Sequence, residues 1–130
     1  MRRFLGLMGC LALVAIIGCS SLTREEQAAL AAEGFYRHLA QGEYEAFLDG
    51  RAGADSLPDD YREQLLVGLR QFVAQQELAH RGILDVQVSS AMTDSLTGYT
   101  NVLLILCFGD SIDEEVVVPM VEYNGSWRMK

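Results

Sequence analysis

Positively charged residues are scarce in this sequence. Its 130 residues include 10 Lys and Arg against 18 Asp and Glu, which gives a formal net charge of −8 at pH 7. Nucleic-acid binding depends on Lys and Arg that neutralise phosphates, and binding to an anionic membrane surface depends on clusters of the same residues. We therefore predict that the chain binds no nucleic acid and has no polybasic patch for a membrane surface.

The motifs of common catalytic and metal sites are also missing. The sequence has no His-Glu-x-x-His, no Gly-rich phosphate loop, no Gly-x-Ser-x-Gly and no Cys-x-x-Cys. One acidic group could gather Ca²⁺, but its spacing does not match the ligand positions of an EF-hand loop: Asp110, Asp113, Glu114 and Glu115. We therefore predict no metal site and no cofactor.

The first 18 residues have the pattern of an export signal. Arg2 and Arg3 give a positively charged start, and a mostly apolar run follows over residues 5–17. That run is shorter than the roughly 20 residues of a membrane-spanning helix. Its ending, Ile16-Ile17-Gly18-Cys19, resembles the lipobox of bacterial lipoproteins, which implies diacylglycerol on Cys19 and cleavage before it. The alternative is an uncleaved anchor helix, and both place the domain outside the cytoplasm.

These features divide the chain into a signal peptide (residues 1–18), a lipidated tether (residues 19–22) and one domain (residues 23–130). The mature chain would keep eight basic and all 18 acidic residues, a net charge of −10. The lipid on Cys19 is then the predicted membrane anchor. Ser20, in place of Asp, resembles the sorting pattern for the outer membrane, so we expect a lipid-anchored protein of the cell envelope that faces the periplasm or the surface.

Three helices are predicted at the start of the domain. Thr23 and Glu26 form a capping box, and the apolar residues after it recur every three or four positions until a glycine ends the helix. Gly34 interrupts that pattern, which predicts close backbone packing at this position. A short second helix is indicated near residues 44–48, and a third is expected over residues 58–80.

The pattern then changes to the two-residue alternation of strands. Leu84, Val86 and Val88 alternate with polar residues, which predicts a first strand with that face buried. The apolar run over residues 99–108 predicts a central strand that is covered on both faces. Cys107 lies in this run, where a small buried hydrophobic residue is expected rather than a reactive thiol.

Two further strands complete the predicted sheet. The third should span residues 113–123, and Pro119 within it predicts an edge-facing position or a bulge, because proline cannot donate to a ladder. Asn124 and Gly125 predict a type I′ hairpin into the fourth strand, since both central residues of that turn need positive φ. Three helices followed by an antiparallel meander of four strands predict an α+β fold in which the helices cover the sheet.

Two stretches carry a family resemblance: residues 32–47, AEGFYRHLAQGEYEAF, and residues 118–128, VPMVEYNGSWR. The first is similar to the opening helices, and the second to the last hairpin, of the NTF2-like (cystatin-like) superfamily, in particular its small DUF4878-type lipoproteins. The resemblance implies a curved sheet wrapped around the first helix. That arrangement would leave a cone with space for a pocket.

Four residues are candidates for lining such a pocket: Tyr36, Tyr61, Asp85 and Tyr99. Some NTF2-like relatives are isomerases that place an Asp base and a Tyr donor in an apolar cavity. Asp85, however, lies on the polar side of its predicted strand, and Tyr36 and Tyr61 fall on apolar helix faces, where core packing accounts for them. We therefore assign no catalytic residue.

The function we predict is a non-enzymatic envelope lipoprotein that binds a small apolar ligand or an envelope protein. One alternative is a small hydro-lyase or isomerase with an NTF2-like pocket. Another is a structural or dimerising subunit of an envelope assembly, present as a homodimer. The fold alone does not decide among them, because one scaffold can host enzymes and binding modules.

Overall fold

A computed structural model describes residues 22–130 of the chain. The predicted signal peptide, the lipobox and Cys19 lie outside the described residues. The described part folds as three α-helices and a short 3₁₀ turn, followed by one sheet of four strands. The elements are α1 (Arg24–Ala40), α2 (Tyr44–Asp49), the 3₁₀ turn (Ala54–Ser56), α3 (Asp59–His80), β1 (Ile83–Thr93), β2 (Thr100–Phe108), β3 (Asp113–Tyr123) and β4 (Ser126–Met129). The strands pair antiparallel in chain order, which confirms the predicted α+β class.

No helix within residues 22–130 is both long enough and apolar enough to cross a membrane.

The capping box predicted for α1 is confirmed. The Thr23 hydroxyl accepts a hydrogen bond from the Glu26 N–H at 3.1 Å, and the Glu26 carboxylate accepts one from the Thr23 N–H at 2.9 Å. These bonds satisfy donors that the first turn of a helix leaves unpaired. The helix is followed by Gly42 with φ of 80°, a left-handed conformation that glycine adopts without steric cost.

The core lies between α1 and one face of the sheet. Ala28 and Ala32 of α1 are fully buried, and their small side chains allow the helix to lie close to the strands. In β2 alternate residues are buried against this helix: Thr100, Val102, Leu104, Leu106 and Phe108. The residues between them, including Cys107, are half-buried. The prediction that β2 is covered on both faces is therefore wrong.

Two irregularities in β1 alter its predicted buried face. The pairing of β1 with β2 shifts register between Ile83 and Asp85 and again between Val88 and Ser90. An extra residue in one strand breaks the strict two-residue alternation. Val86 is buried as predicted, but Leu84, at the first shift, is 72% exposed and Val88 is 39% exposed. The prediction of one continuous buried face was wrong at both of these positions.

The hairpin and the edge proline of the last two strands are confirmed. Asn124 and Gly125 have φ of 52° and 84°, as a type I′ turn requires. The Pro119 carbonyl accepts from the Lys130 N–H at 2.8 Å, so it points away from β2. The N and C=O of one residue in an antiparallel strand point the same way, so the missing N–H costs no bond to β2. Since β4 pairs only with Met120–Tyr123, no described strand flanks the rest of this β3 edge.

The close approach that the sequence predicts at Gly34 is found instead at Gly50. A Cβ placed on Gly34 would meet nothing within 4 Å, so the predicted close approach there is wrong. At Gly50, directly after α2, the place of a Cβ is occupied by the ring of Phe35. This contact fixes the short helix α2 against α1, and both helices contribute to the site described next.

Candidate functional site

The helix α3 is long but weakly packed. Among its 22 residues only Leu66 is buried, at 4% exposure. Leu65 and Leu69 are half-buried, whereas Tyr61 and Phe72 are exposed. A helix in a folded protein gains most of its stability from packing an apolar face. The apolar face of α3 instead borders open space.

That space is a groove of about 440 Å³ that is partly open to solvent. Its volume lies within the range of about 300–1,000 Å³ that is usual for small-molecule sites. All three helices, the segment after α2, β3 and the last two residues contribute to it. The lining residues are Tyr36, Phe47, Leu48, Arg51, Gln64, Leu65, Gly68, Leu69, Val117, Val118, Pro119, Met129 and Lys130.

One wall of the groove is the edge of β3. Val117, Val118 and Pro119 are consecutive, and successive residues of a strand point to opposite faces, so together they present the strand's edge rather than one face. The groove begins where the four-residue strand β4 ends and leaves β3 unflanked. The other wall is α3, through Leu65 and Leu69.

The lining is apolar with a few polar groups. It contains no Asp, Glu, His, Cys, Ser or Thr. The Tyr36 ring packs edge to face against Phe47, with ring centroids 5.2 Å apart. Burial raises the pKa of Tyr36 above its ordinary value, so its hydroxyl stays protonated at neutral pH. This hydroxyl forms no hydrogen bond with another described residue, and it can therefore donate one to a bound molecule.

Two cationic side chains, Arg51 and Lys130, line the groove where it meets β4. The backbone at Arg51 is held against β4 on both sides: the Ala52 N–H donates to the Met129 carbonyl at 2.8 Å, and the Met129 N–H donates to the Gly50 carbonyl at 2.7 Å. Neither cation forms an ion pair with a carboxylate of the described chain.

The four residues predicted for a pocket are not brought together. Tyr36 lines the groove, but the other three do not. Tyr61 lies in the first turns of α3 and is 46% exposed. Tyr99 lies just before β2, where the Lys130 ammonium is 5.7 Å from its ring centroid. Asp85 lies in β1 and bonds to Arg37.

Asp85 is a partner of an arginine instead of a desolvated base. The Arg37 guanidinium donates to its carboxylate at 2.9 Å, and this hydrogen bond is the main reason that the pKa of Asp85 lies below its ordinary value. The Val86 N–H donates to the same oxygen at 2.9 Å and lowers the pKa further. A general base that works near neutral pH needs the opposite shift, which burial in an apolar site would supply.

Cys107 has no features of an activated nucleophile. It lies on the face of β2 that points away from α1, opposite Asp85 on one side and Asp113 on the other. Burial raises the pKa of the Cys107 thiol, and the two carboxylates raise it further. Reactive cysteines need the reverse, a positive environment that favours the thiolate. Within residues 22–130, moreover, no cluster of three or more His, Cys, Asp or Glu is arranged to hold a metal ion.

The groove residues were only partly visible in the sequence. Leu65 and Leu69 belong to the apolar stripe that predicts α3, but the stripe does not show whether it faces a filled core or a groove. Arg51 and Lys130 lie outside any periodic segment, one in a loop and one at the last position. No local signal joins them, because the pairing of residue 51 with β4 spans 78 positions of chain.

The helices, the antiparallel sheet and the groove between them define an α+β protein with an NTF2-like fold. A crystal structure from Campylobacter jejuni, named "Putative NTF2-like transpeptidase", is similar with a TM-score of 0.57 over 75% of this chain and 92% of that chain. The two sequences are 14% identical, so the likeness shows the fold alone. No protein-family model matches the sequence, and a search of curated proteins found no match.

Proposed function

We propose that this chain is an envelope lipoprotein whose NTF2-like domain binds a small apolar ligand in the groove beside α3 and catalyses no reaction. The observation that carries the proposal is that a 22-residue helix with one buried side chain turns Leu65 and Leu69 toward a groove of about 440 Å³. A ligand in the groove would cover these side chains and remove apolar surface from water, worth about 25 cal/mol per Å².

The lining chemistry supports binding over isomerase or hydro-lyase chemistry. Such reactions move protons and need a base beside the substrate. The groove lining offers a protonated phenol, Tyr36, but no side-chain carboxylate or imidazole. Asp85, the one candidate base, is bonded to Arg37 outside the groove lining.

Transpeptidase chemistry, suggested by the name of the structural neighbour, has as little support in this groove. Acyl transfer through an enzyme needs a hydroxyl or thiol nucleophile beside an activating base. No Ser, Thr or Cys lines the groove, and Cys107 lies outside its lining among carboxylates that disfavour the thiolate. The structural similarity therefore supports the fold in this proposal but does not support an activity.

The lipobox-like ending at Cys19 supports a location at a membrane. Only Ser20, Ser21 and Leu22 separate Cys19 from the helix cap at Thr23, a reach of about 10 Å for three extended residues. A lipid on Cys19 would hold the domain close to the membrane surface, where apolar ligands are concentrated. Ser20 favours the outer membrane for the anchor.

A dimerising subunit stays a prediction with one observation in its favour. The sheet face that points away from α1 carries Leu103 and Ile105, which are half-buried, and Val117, which is 61% exposed. Sedimentation of the purified protein tests it: a dimer dissociated by Val117→Glu would support this function, and a monomer across micromolar concentrations would contradict it.

The experiment for the proposed binding is an NMR titration of a chain that starts at Ser20 and so keeps every described element. The probe is 1-decanol, a neutral single-chain alcohol. We expect saturable amide shifts concentrated at Leu65, Gly68, Leu69 and Met129, which all line the groove. Shifts confined to the opposite sheet face around Leu103, or no saturable shifts at all, would contradict binding in the groove.

A further inference from the structure

We infer that the groove selects amphiphiles with an anionic head group, a single apolar chain with a carboxylate, and that Arg51 and Lys130 bind the head. The inference rests on the proposed function, because it names the ligand class of the same site. Its basis is the placement of cationic charge in an acidic chain.

The described chain carries eight cationic side chains of Lys and Arg. Four of them form ion pairs with carboxylates: Arg24, Arg37, Arg62 and Arg70. Of the four that do not, Arg51 and Lys130 line the groove, and Arg128 lines the cleft next to it, which Arg51 also borders. In a chain with so many carboxylates, three of the four cationic residues without an ion pair thus line the apolar groove or the cleft next to it.

The nearby carboxylates do not neutralise this end. Asp49 and Asp55 line the adjacent cleft, and neither forms an ion pair with Arg51. Asp49 accepts a hydrogen bond from the Arg62 guanidinium at 2.8 Å. No carboxylate side chain lines the groove itself. A carboxylate head would therefore meet cations that form no ion pair with a described carboxylate, and at Lys130 it would compete with the Tyr99 ring, whose centroid is 5.7 Å from the ammonium.

The main chain of both Arg51 and Lys130 is fixed before a ligand arrives, while their side chains are exposed. Hydrogen bonds on either side of Arg51 fix its backbone to β4, and the Lys130 N–H donates to the Pro119 carbonyl at 2.8 Å. A guanidinium presents paired donors that match a carboxylate. Gln64, which lines the α3 side of the groove, adds a neutral amide donor.

The expected selectivity is modest because both cations are exposed. An exposed ion pair contributes up to about 1 kcal/mol, which corresponds to about a fivefold change in affinity. We therefore expect decanoate to bind more tightly than 1-decanol by about tenfold when both cations act. Salt should weaken the binding of decanoate and leave that of 1-decanol unchanged, since screening acts on charge alone.

The test is calorimetric titration with decanoate, 1-decanol and decyltrimethylammonium, three heads on one chain length. Arg51→Gln and Lys130→Gln should each weaken decanoate about twofold to fivefold, and the double variant should remove its preference over 1-decanol. Arg70→Gln, on α3 but outside the groove lining, makes the same charge change and should have no effect. An unchanged preference in the double variant would overturn the inference.

The same titrations separate this inference from the proposed function. If all three heads bind with equal affinity and the Gln variants do not alter it, head selection is wrong while binding in the groove stands. If no probe binds the folded wild-type protein, the proposed function itself fails. Tighter binding of decyltrimethylammonium than of decanoate would also overturn the inference, because the net negative charge of the chain, rather than Arg51 and Lys130, would then determine which head group binds.

Discussion

The Arg37 guanidinium joins α1 to β1 through Asp85, donating to its carboxylate at 2.9 Å and to the neighbouring Val86 carbonyl at 2.7 Å. Glu33, one turn earlier on α1, accepts from the same guanidinium at 3.0 Å. This contact assigns Asp85 a structural role at the first register shift of β1. Asp85 is the one carboxylate that the isomerase alternative proposes as a base, and this contact places it outside the groove lining.

The Asp85 contact predicts a loss of stability in acid. Because Arg37 holds the folded-state pKa of Asp85 below its unfolded value of about 4, its contribution is complete above pH 4 and falls as the pH drops through the folded-state pKa. Asp85→Asn should therefore lower the free energy of unfolding at pH 6 and flatten its decline below pH 4. Urea unfolding at a series of pH values measures both effects.

Glu115→Gln is the matched control for this prediction, since Glu115 is exposed and has no ion pair with a described residue. It should leave the acid dependence close to that of the wild type. An Asp85→Asn protein whose stability declines below pH 4 as steeply as that of the wild type would contradict the role assigned to the contact.

The two helix-associated glycines predict opposite effects of alanine. Gly34→Ala should raise the free energy of unfolding by about 0.5–1 kcal/mol, because the new methyl group meets open space and a helix-interior glycine is entropically costly. Gly50→Ala should lower it by roughly 1–3 kcal/mol, because its methyl group would overlap the Phe35 ring. Chemical denaturation of both variants measures these changes in the free energy of unfolding. A stabilising Gly50→Ala would contradict the packing of α2 on α1.

The features that the sequence predicts correctly are those encoded within a few residues. The capping box at Thr23 and Glu26 and the turn at Asn124 and Gly125 depend on adjacent backbone conformations, so their residue types are sufficient evidence. The element order follows from the periods of apolar residues, and the α+β class follows from that order.

The predictions that were wrong concern features that depend on contacts between residues far apart in the sequence. The alternation in β1 contains no sign of the register shifts that expose Leu84, because a bulge depends on how the neighbouring strand pairs. The apolar run of β2 reads the same whether one face is buried or both. Gly34 and Gly50 are alike in sequence, and only the position of Phe35 distinguishes them. The groove is assembled from six parts of the chain, so only Tyr36 of the four predicted residues lines it.

The weak packing of α3 predicts uneven hydrogen exchange. Amides around Leu65 and Leu69 should exchange faster than those around Ala28 and Ala32 in α1, because a helix with one buried side chain opens at a lower free-energy cost. A ligand that binds only the closed form should slow exchange in α3 more than in α1. Mass spectrometry with and without 1-decanol measures this, and equal protection of both helices without ligand would contradict the description of α3.

The central claim, that the groove beside α3 is a binding site, is tested most directly by filling it at Gly68. This helix residue lines the groove, and a Cβ there meets nothing within 4 Å. Replacing a helix-interior glycine should not destabilise the fold, and the aromatic ring of Gly68→Phe would occupy space that a ligand needs, with Gly68→Ala as the matched control. The measurement is calorimetric titration of 1-decanol into both variants. We predict wild-type affinity for Gly68→Ala and a loss of at least about tenfold for Gly68→Phe, or about 1.4 kcal/mol. A folded Gly68→Phe protein that binds 1-decanol as tightly as the wild type would contradict the claim.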